Sequence, residues 1–153
     1  MQTTALKDST QSLRDSRKIL NRVLQNMVLP ETFCSLHSTE SLRRTALEAY
    51  IHENFSRVYQ ADIKEFMPHF LSIDCHSNVS ATAGIRKAKD SVLMVEKYMQ
   101  KPVEQTLSDL VRTPVARQEI VEIGNLVATQ RGASQLLFIL LLAILAQVNY
   151  RWI

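Results

Sequence analysis

The sequence predicts an α/β fold of the α+β kind, a mixed sheet flanked by helices in one main domain. Three observations predict it. The 153-residue chain is 46% hydrophobic with only 3 Gly and 4 Pro, which suits one packed core and few long loops. The apolar period changes from helical to alternating near His69. Finally, a strand-like stretch, EIVEIGNLVA (Glu119–Ala128), passes through a short polar break into a long apolar helix.

Residues 8–28 read as a basic amphipathic helix. Leu13, Leu20, Val23, Leu24, Met27 and Val28 recur at helical spacing, with Arg14, Arg17, Lys18 and Arg22 between them. This N-terminal extension, residues 1–30, suits docking, dimerisation or contact with a membrane surface. Pro30 ends it. Thr32–His37 reads as a short strand, and Ser38 and Thr39 as caps for a helix over Ser41–Gln60. The apolar stripe expected on that helix is Leu42, Ala46, Ala49, Tyr50, Phe55, Val58 and Tyr59. HFLSIDC, His69–Cys75, alternates like a half-buried strand. His76, Ser77 and Asn78 are turn material, and Val79–Arg86 completes a hairpin. Gly84 inside it predicts a bulge or a close backbone approach.

Ser91–Met99 suits either strand or helix. Pro102 fits the first turn of a helix over Val103–Leu110. The apolar helix then spans about Gly132 to Val148. YRWI, Tyr150–Ile153, resembles the opening of a further strand. An interior strand there wants a neighbour on each side, so the expectation is a domain incomplete at its C-terminal end, or one completed by a second copy as a homodimer.

Charge and composition exclude some classes. A net charge of +3 permits an anionic ligand or a membrane surface without calling for nucleic acid. Cys34 and Cys75 do not make a disulfide framework; free thiols are the plainer expectation beside a single bridge. The first 18 residues lack the apolar core of a secretory signal, so the expected location is cytoplasmic, with non-classical secretion as the alternative. The wholly apolar run Leu136–Ala146 is shorter than the roughly 20 residues a membrane span needs. A helix buried on a sheet explains it better, and peripheral membrane contact stays open.

The polar break Thr129–Ser134 carries the chemistry. The first turn of a helix offers free N–H groups and partial positive charge, where phosphate oxygens fit. Gly132 and Ala133 leave room, while Gln130, Arg131 and Ser134 offer donors. The break lacks the lysine and glycines of a Walker A loop, and it is not a GxGxxG fingerprint. An ordinary helix start is the competing reading. In the strand before it, regular alternation places Glu122, Gly124 and Leu126 on one face and Ile123, Asn125 and Val127 on the other. A carboxylate there needs a partner, solvent or a catalytic task, and Arg86 is one candidate partner.

HENFSRVYQADIKEFMPHFLSI, ATAGIRKA, LMVEKYMQKPVEQTL and VARQEIVEIGNLVATQRGASQLLFILL, taken in order, resemble the thermostable hemolysin family, the delta-hemolysin group of vibrios. The resemblance covers roughly His52 to Ile153. It implies a fold similar to the Gcn5-related N-acyltransferases and, more distantly, to acyl-homoserine-lactone synthases. By that likeness Glu119–Ala128 matches the central strand, and Gln130–Ser134 matches the pyrophosphate loop, in a form compressed relative to the usual Q/R-x-x-G-x-G/A. The implied cofactor is acyl-coenzyme A, bound by Leu126, Ala128, Gln130, Arg131, Gly132, Ala133 and Ser134, with an unspecified small-molecule acceptor. Glu122 stands where the lactone synthases carry a strand glutamate. Glu122 or Glu96 would deprotonate the acceptor, and Arg86 would orient a carboxylate or the glutamate itself. Members continue past YRWI, so the likeness also implies a longer domain. The family name implies membrane activity as the alternative, and an inactive truncated domain is a third reading.

Overall fold

The computed structural model describes residues 32–153. The helix expected over 8–28, and the 1–30 extension with it, lies outside the described residues. Four strands form one antiparallel sheet in the order β1-β2-β3-β4. They are β1 (Thr32–His37), β2 (His69–Cys75), β3 (Asn78–Lys87) and β4 (Val121–Ala128). Helix α1 (Arg44–Tyr59) covers one face, α3 (Ala133–Gln147) covers the other, and α2 (Val103–Val111) lies in the long β3–β4 connection. Trp152 forms a parallel bridge with Ile120, so the segment read as a strand opening does meet the sheet.

The α3 face is the larger core. Leu136, Leu137, Leu140, Leu141, Ile144 and Leu145 lie on Leu71, Ile73, Ala81, Ala83 and Ile85. Burying each leucine contributes about 2 kcal/mol. Ala81 and Ala83 keep β3 low, which lets the helix approach closely. On the opposite face Leu47 and Ile51 of α1 pack on Met67 and Phe70, and the Arg44 guanidinium lies 4.4 Å from the Phe70 ring centroid. With helices on both faces, β2 is buried along its length instead of alternating as expected.

The other departures have local causes. The α1 stripe is Leu47, Ile51, Asn54 and Phe55, spaced by three and four; Leu42, Ala46, Ala49, Val58 and Tyr59 are exposed. Leu42 precedes the helix, and Val58 and Tyr59 lie in its last turn. Neither Ser38 nor Thr39 caps α1; its N-cap is Arg43, without a side-chain cap bond. Arg43 instead pairs with Asp74 through two 2.8 Å bonds, and His37 joins Ser41 to Ser72 through its two ring nitrogens, 3.0 Å each. The stretch Ser91–Met99 becomes a 3-10 turn at Val95–Tyr98. Cys34 and Cys75 are free thiols. They face Ile73 and Thr32 respectively, a diagonal across β1 and β2 too wide for a disulfide. Burial, then the charge of Asp74, pushes the Cys34 thiol up to about 12.

β3 and β4 meet at two glycines. Gly84 faces Gly124, and Met67 lies over both. Just beyond, the ladder jumps from Gly84–Gly124 to Thr82–Val127, one residue on β3 against two on β4. This is a bulge at Asn125 and Leu126, with Asn125 in the left-handed region at φ +47°. It breaks the expected alternation. Ile123 packs with the α3 core, whereas Val127 packs with Met67 on the α1 side.

The two glycines differ in tolerance. A Cβ at Gly84 would stand 2.6 Å from Met67 Cβ, whereas one at Gly124 would meet Met67 Cε, the far end of an unbranched side chain, at 2.5 Å. Gly84→Ala is therefore expected to cost about 2–3 kcal/mol and Gly124→Ala less than half of that. Urea denaturation of both variants checks it, and equal losses would contradict the packing described.

Candidate functional site

The candidate residues gather at opposite ends of β4. Glu122 stands at its start with Arg86 directly across on β3, and Glu96 sits nearby in the 3-10 turn. Leu126, Ala128 and the Gln130–Ser134 break stand at its end. Glu122 to Ala128 is six steps, at most about 20 Å at about 3.3 Å per residue, and less where the bulge bends the strand. The two groups are thus joined by an extended strand and not gathered in one pocket.

At the far end, Thr129 is tied down twice. Its N–H donates to Ser80 O at 2.9 Å, and its hydroxyl lies 3.0 Å from the Tyr50 hydroxyl of α1. The chain then turns through exposed Gln130 and Arg131 to Gly132, whose φ of +83° places it in the left-handed region that glycine adopts freely. Gly132 is the N-cap of α3 and has no side chain to cap with; a Cβ there would meet nothing within 4 Å. Ala133 N–H returns to Gln130 O at 3.1 Å. Among the described residues no group caps the amides of Ser134 and Gln135, and the Ser134 hydroxyl lies 3.0 Å from Gln135 Oε1. The result is a roomy helix start with amides directed outward, suited to an anion.

At the near end, Glu122 does not pair with Arg86. Its two oxygens accept the N–H groups of Met94 (2.9 Å) and Val95 (2.8 Å), capping the 3-10 turn. Arg86 instead donates to Glu65 at 2.9 Å, and Lys97 holds the other Glu65 oxygen at 2.7 Å. Glu96 is more firmly held. Its oxygens accept from Leu93 N–H, Val103 N–H and two nitrogens of Arg117, at 2.7–3.0 Å. Four donors fill the lone-pair sites of a carboxylate, so no position remains to take a proton from an acceptor. Led by the Arg117 bond, these contacts lower the Glu96 pKa to about 2. Arg117 completes its set with Glu104, Ala88 O and Ser91 O. Among the described residues no cluster of His, Cys, Asp and Glu suits a metal ion.

Beyond its start, the outer side of β4 is open among the described residues. The bridge from Ile120 to Trp152, with Val121 N–H donating to Trp152 O at 3.0 Å, is its only partner there. The family model for thermostable hemolysin matches residues 37–153, from the end of β1 through every later element. The chain belongs to the thermostable hemolysin family. No curated protein and no solved structure gives a significant match. In this thermostable hemolysin domain the sequence reading missed Glu65, Met67, Lys97 and Arg117. Glu65 and Met67 lie in an irregular stretch without period or motif. Arg117 sits in a three-residue 3-10 turn after Pro114, where nothing distinguishes it from other surface arginines.

Because folding lowers the Glu96 pKa from 4.5 to about 2, its contribution to stability is complete above the unfolded value and is lost as pH falls toward 2. Glu96→Gln is expected to be less stable at pH 7 and to show a shallower loss between pH 4.5 and 2. Denaturation midpoints measured across that range check it; a parallel acid profile in the variant would contradict it.

Proposed function

We propose that this thermostable hemolysin domain binds acyl-coenzyme A along β4 and serves acyl transfer to a small nucleophilic acceptor. One observation carries the reading: a bulge, an open strand edge and an uncapped glycine-led helix start follow one another along a single strand. The stretch from the Asn125–Leu126 bulge through the turn to the helix start at Gly132 suits a ligand with an extended arm between thioester and phosphate. The fold likeness to Gcn5-related acyltransferases that the family resemblance implies supports the same placement.

Acyl-coenzyme A would supply the activated thioester carbonyl. The amides of Ser134 and Gln135, with the positive end of the α3 dipole, suit its phosphate oxygens, and exposed Gln130 and Arg131 add donors. Backbone N–H groups at the Asn125–Leu126 bulge suit the carbonyl oxygen as negative charge builds on it. Glu122 accepts one N–H on each oxygen, so a lone pair stays on each for the acceptor proton, directly or through water. The new bond joins acceptor to acyl carbon, the carbon–sulfur bond breaks, and the thiol leaves with a proton.

Calorimetric titration with acetyl-coenzyme A tests the reading. Ser134→Asp places a negative charge where phosphate would sit, yet suits the first turn of a helix. The expected outcome is at least a tenfold loss of affinity with an unchanged or raised melting temperature. Equal affinity in the variant would move the phosphate site away from α3, and no binding by the parent chain would defeat the reading.

A second reading rests on α3. Phe138, Ile139 and Leu142 are about half exposed on its outer side and share one stripe. No described helix is long and apolar enough to cross a membrane, so this stripe would lie along a lipid surface. Phe138→Asp is expected to abolish binding to anionic lipid vesicles and release of trapped dye, while the fold persists. Undiminished leakage by the variant would remove the stripe from that role.

A further inference from the structure

Arg86 and Arg117, two arginines of the β3–β4 region, are served very differently. Arg117, 28% exposed, uses all five N–H donors on two glutamates and two carbonyls. Arg86, 9% exposed, makes one hydrogen bond among the described residues, from Nη2 to Glu65 at 2.9 Å. A guanidinium has a planar fork that matches a carboxylate through two parallel bonds, and burying one with so few partners is costly. Its cross-strand neighbour Glu122 is directed to the amides of Met94 and Val95 and does not serve it. The group that does serve it, Glu65, is 44% exposed and lies in the irregular 60–68 segment. Glu65 is shared with Lys97, itself 54% exposed on the 3-10 turn. A buried, under-used cation thus faces outward to a second cation, and a surface carboxylate on a loop stands between them.

We infer that Arg86 and Lys97 form a receptor for the carboxylate of a small acceptor molecule, and that Glu65 fills it in the free protein as an internal stand-in. The inference deepens the acyltransferase reading and rests on it for the ligand's role as acceptor. Glu65 already shows which anion the two cations accept: a planar carboxylate with one oxygen on each. A ligand carboxylate replaces it without change of charge, and Glu65 swings to solvent at little cost because it is already half exposed. The receptor adjoins Glu122, since Arg86 is its register partner on β3. An acceptor held there by its carboxylate presents a nearby amine or hydroxyl to Glu122, so the substrate class is a small amino or hydroxy acid.

Propionate, titrated into isotope-labelled full chain without any thioester, tests the receptor apart from coenzyme A binding. Glu65→Gln is expected to bind propionate at least tenfold more tightly than the parent, with the largest shift at the Arg86 side-chain Nε–H signal. Adding Arg86→Lys or, separately, Lys97→Met to Glu65→Gln should reverse that gain, Arg86→Lys the more strongly. If Arg86→Lys fails to fold, Lys97→Met and the Nε–H shift decide the matter. Equal affinity in parent and Glu65→Gln, shifts remote from Arg86, or tighter binding of inorganic phosphate at the same signals would each overturn the inference. Absence of coenzyme A binding alongside intact propionate binding would defeat only the acyltransferase reading.

Discussion

Everything about the candidate site depends on a missing pair of Cβ atoms. Gly84 and Gly124 face each other on β3 and β4, and Met67 fills the space their side chains would take. That allows the segment before β2 to lie against the sheet. Met67 N–H then reaches Asn125 Oδ1 at 2.8 Å, the bond that anchors the left-handed residue of the bulge. The bulge in turn exchanges the two faces of β4, so Ile123 serves one helix and Val127 the other. Two residues upstream of Met67, the same segment brings Glu65 to Arg86. One close approach therefore fixes the strand's irregularity, its face assignment and its neighbouring charges.

The long connection between β3 and β4 is held mainly by charge. Arg117 gathers Ala88 O, Ser91 O, Glu96 and Glu104, while Glu96 and Glu122 cap short turns through backbone amides. A modest apolar cluster of Ala88, Leu93, Val103 and Ile120 lies under these contacts. Carboxylates that looked catalytic by residue type spend some or all of their lone pairs on architecture. Their donors are backbone amides three to twenty-eight positions away and, for Glu96, the Arg117 guanidinium, a separation that residue identity does not reveal.

Much of the fold was legible in the sequence. The β2–β3 hairpin, the strand before the polar break, the helix after it and the proline-led α2 follow from period and turn residues. What escaped was decided by tertiary contact. The α1 stripe drifted because apolar residues lie all round that helix, and only the sheet selects Leu47 and Ile51. β2 is buried on both faces because a second layer exists, which alternation within seven residues cannot report. At the site, Gly84 signalled its close approach and Gly132 its turn. The inversion at Asn125 depends on Met67, 58 positions earlier, and had no local mark.

Helix α3 leads to a last point about how a sequence specifies direction. Its 15 residues, ASQLLFILLLAILAQ, are apolar nearly all round, with leucine or isoleucine on buried and exposed sides alike. An amphipathic helix carries its own azimuth, because only one rotation about its axis hides the greasy side. This one does not, so its rotation must be set from its ends. At one end stands the left-handed turn at Gly132; at the other, Tyr150 N–H folds back to Leu145 O at 3.1 Å before the chain meets β4 again. Angular information that most surface helices spread along their length is here confined to two terminal hinges.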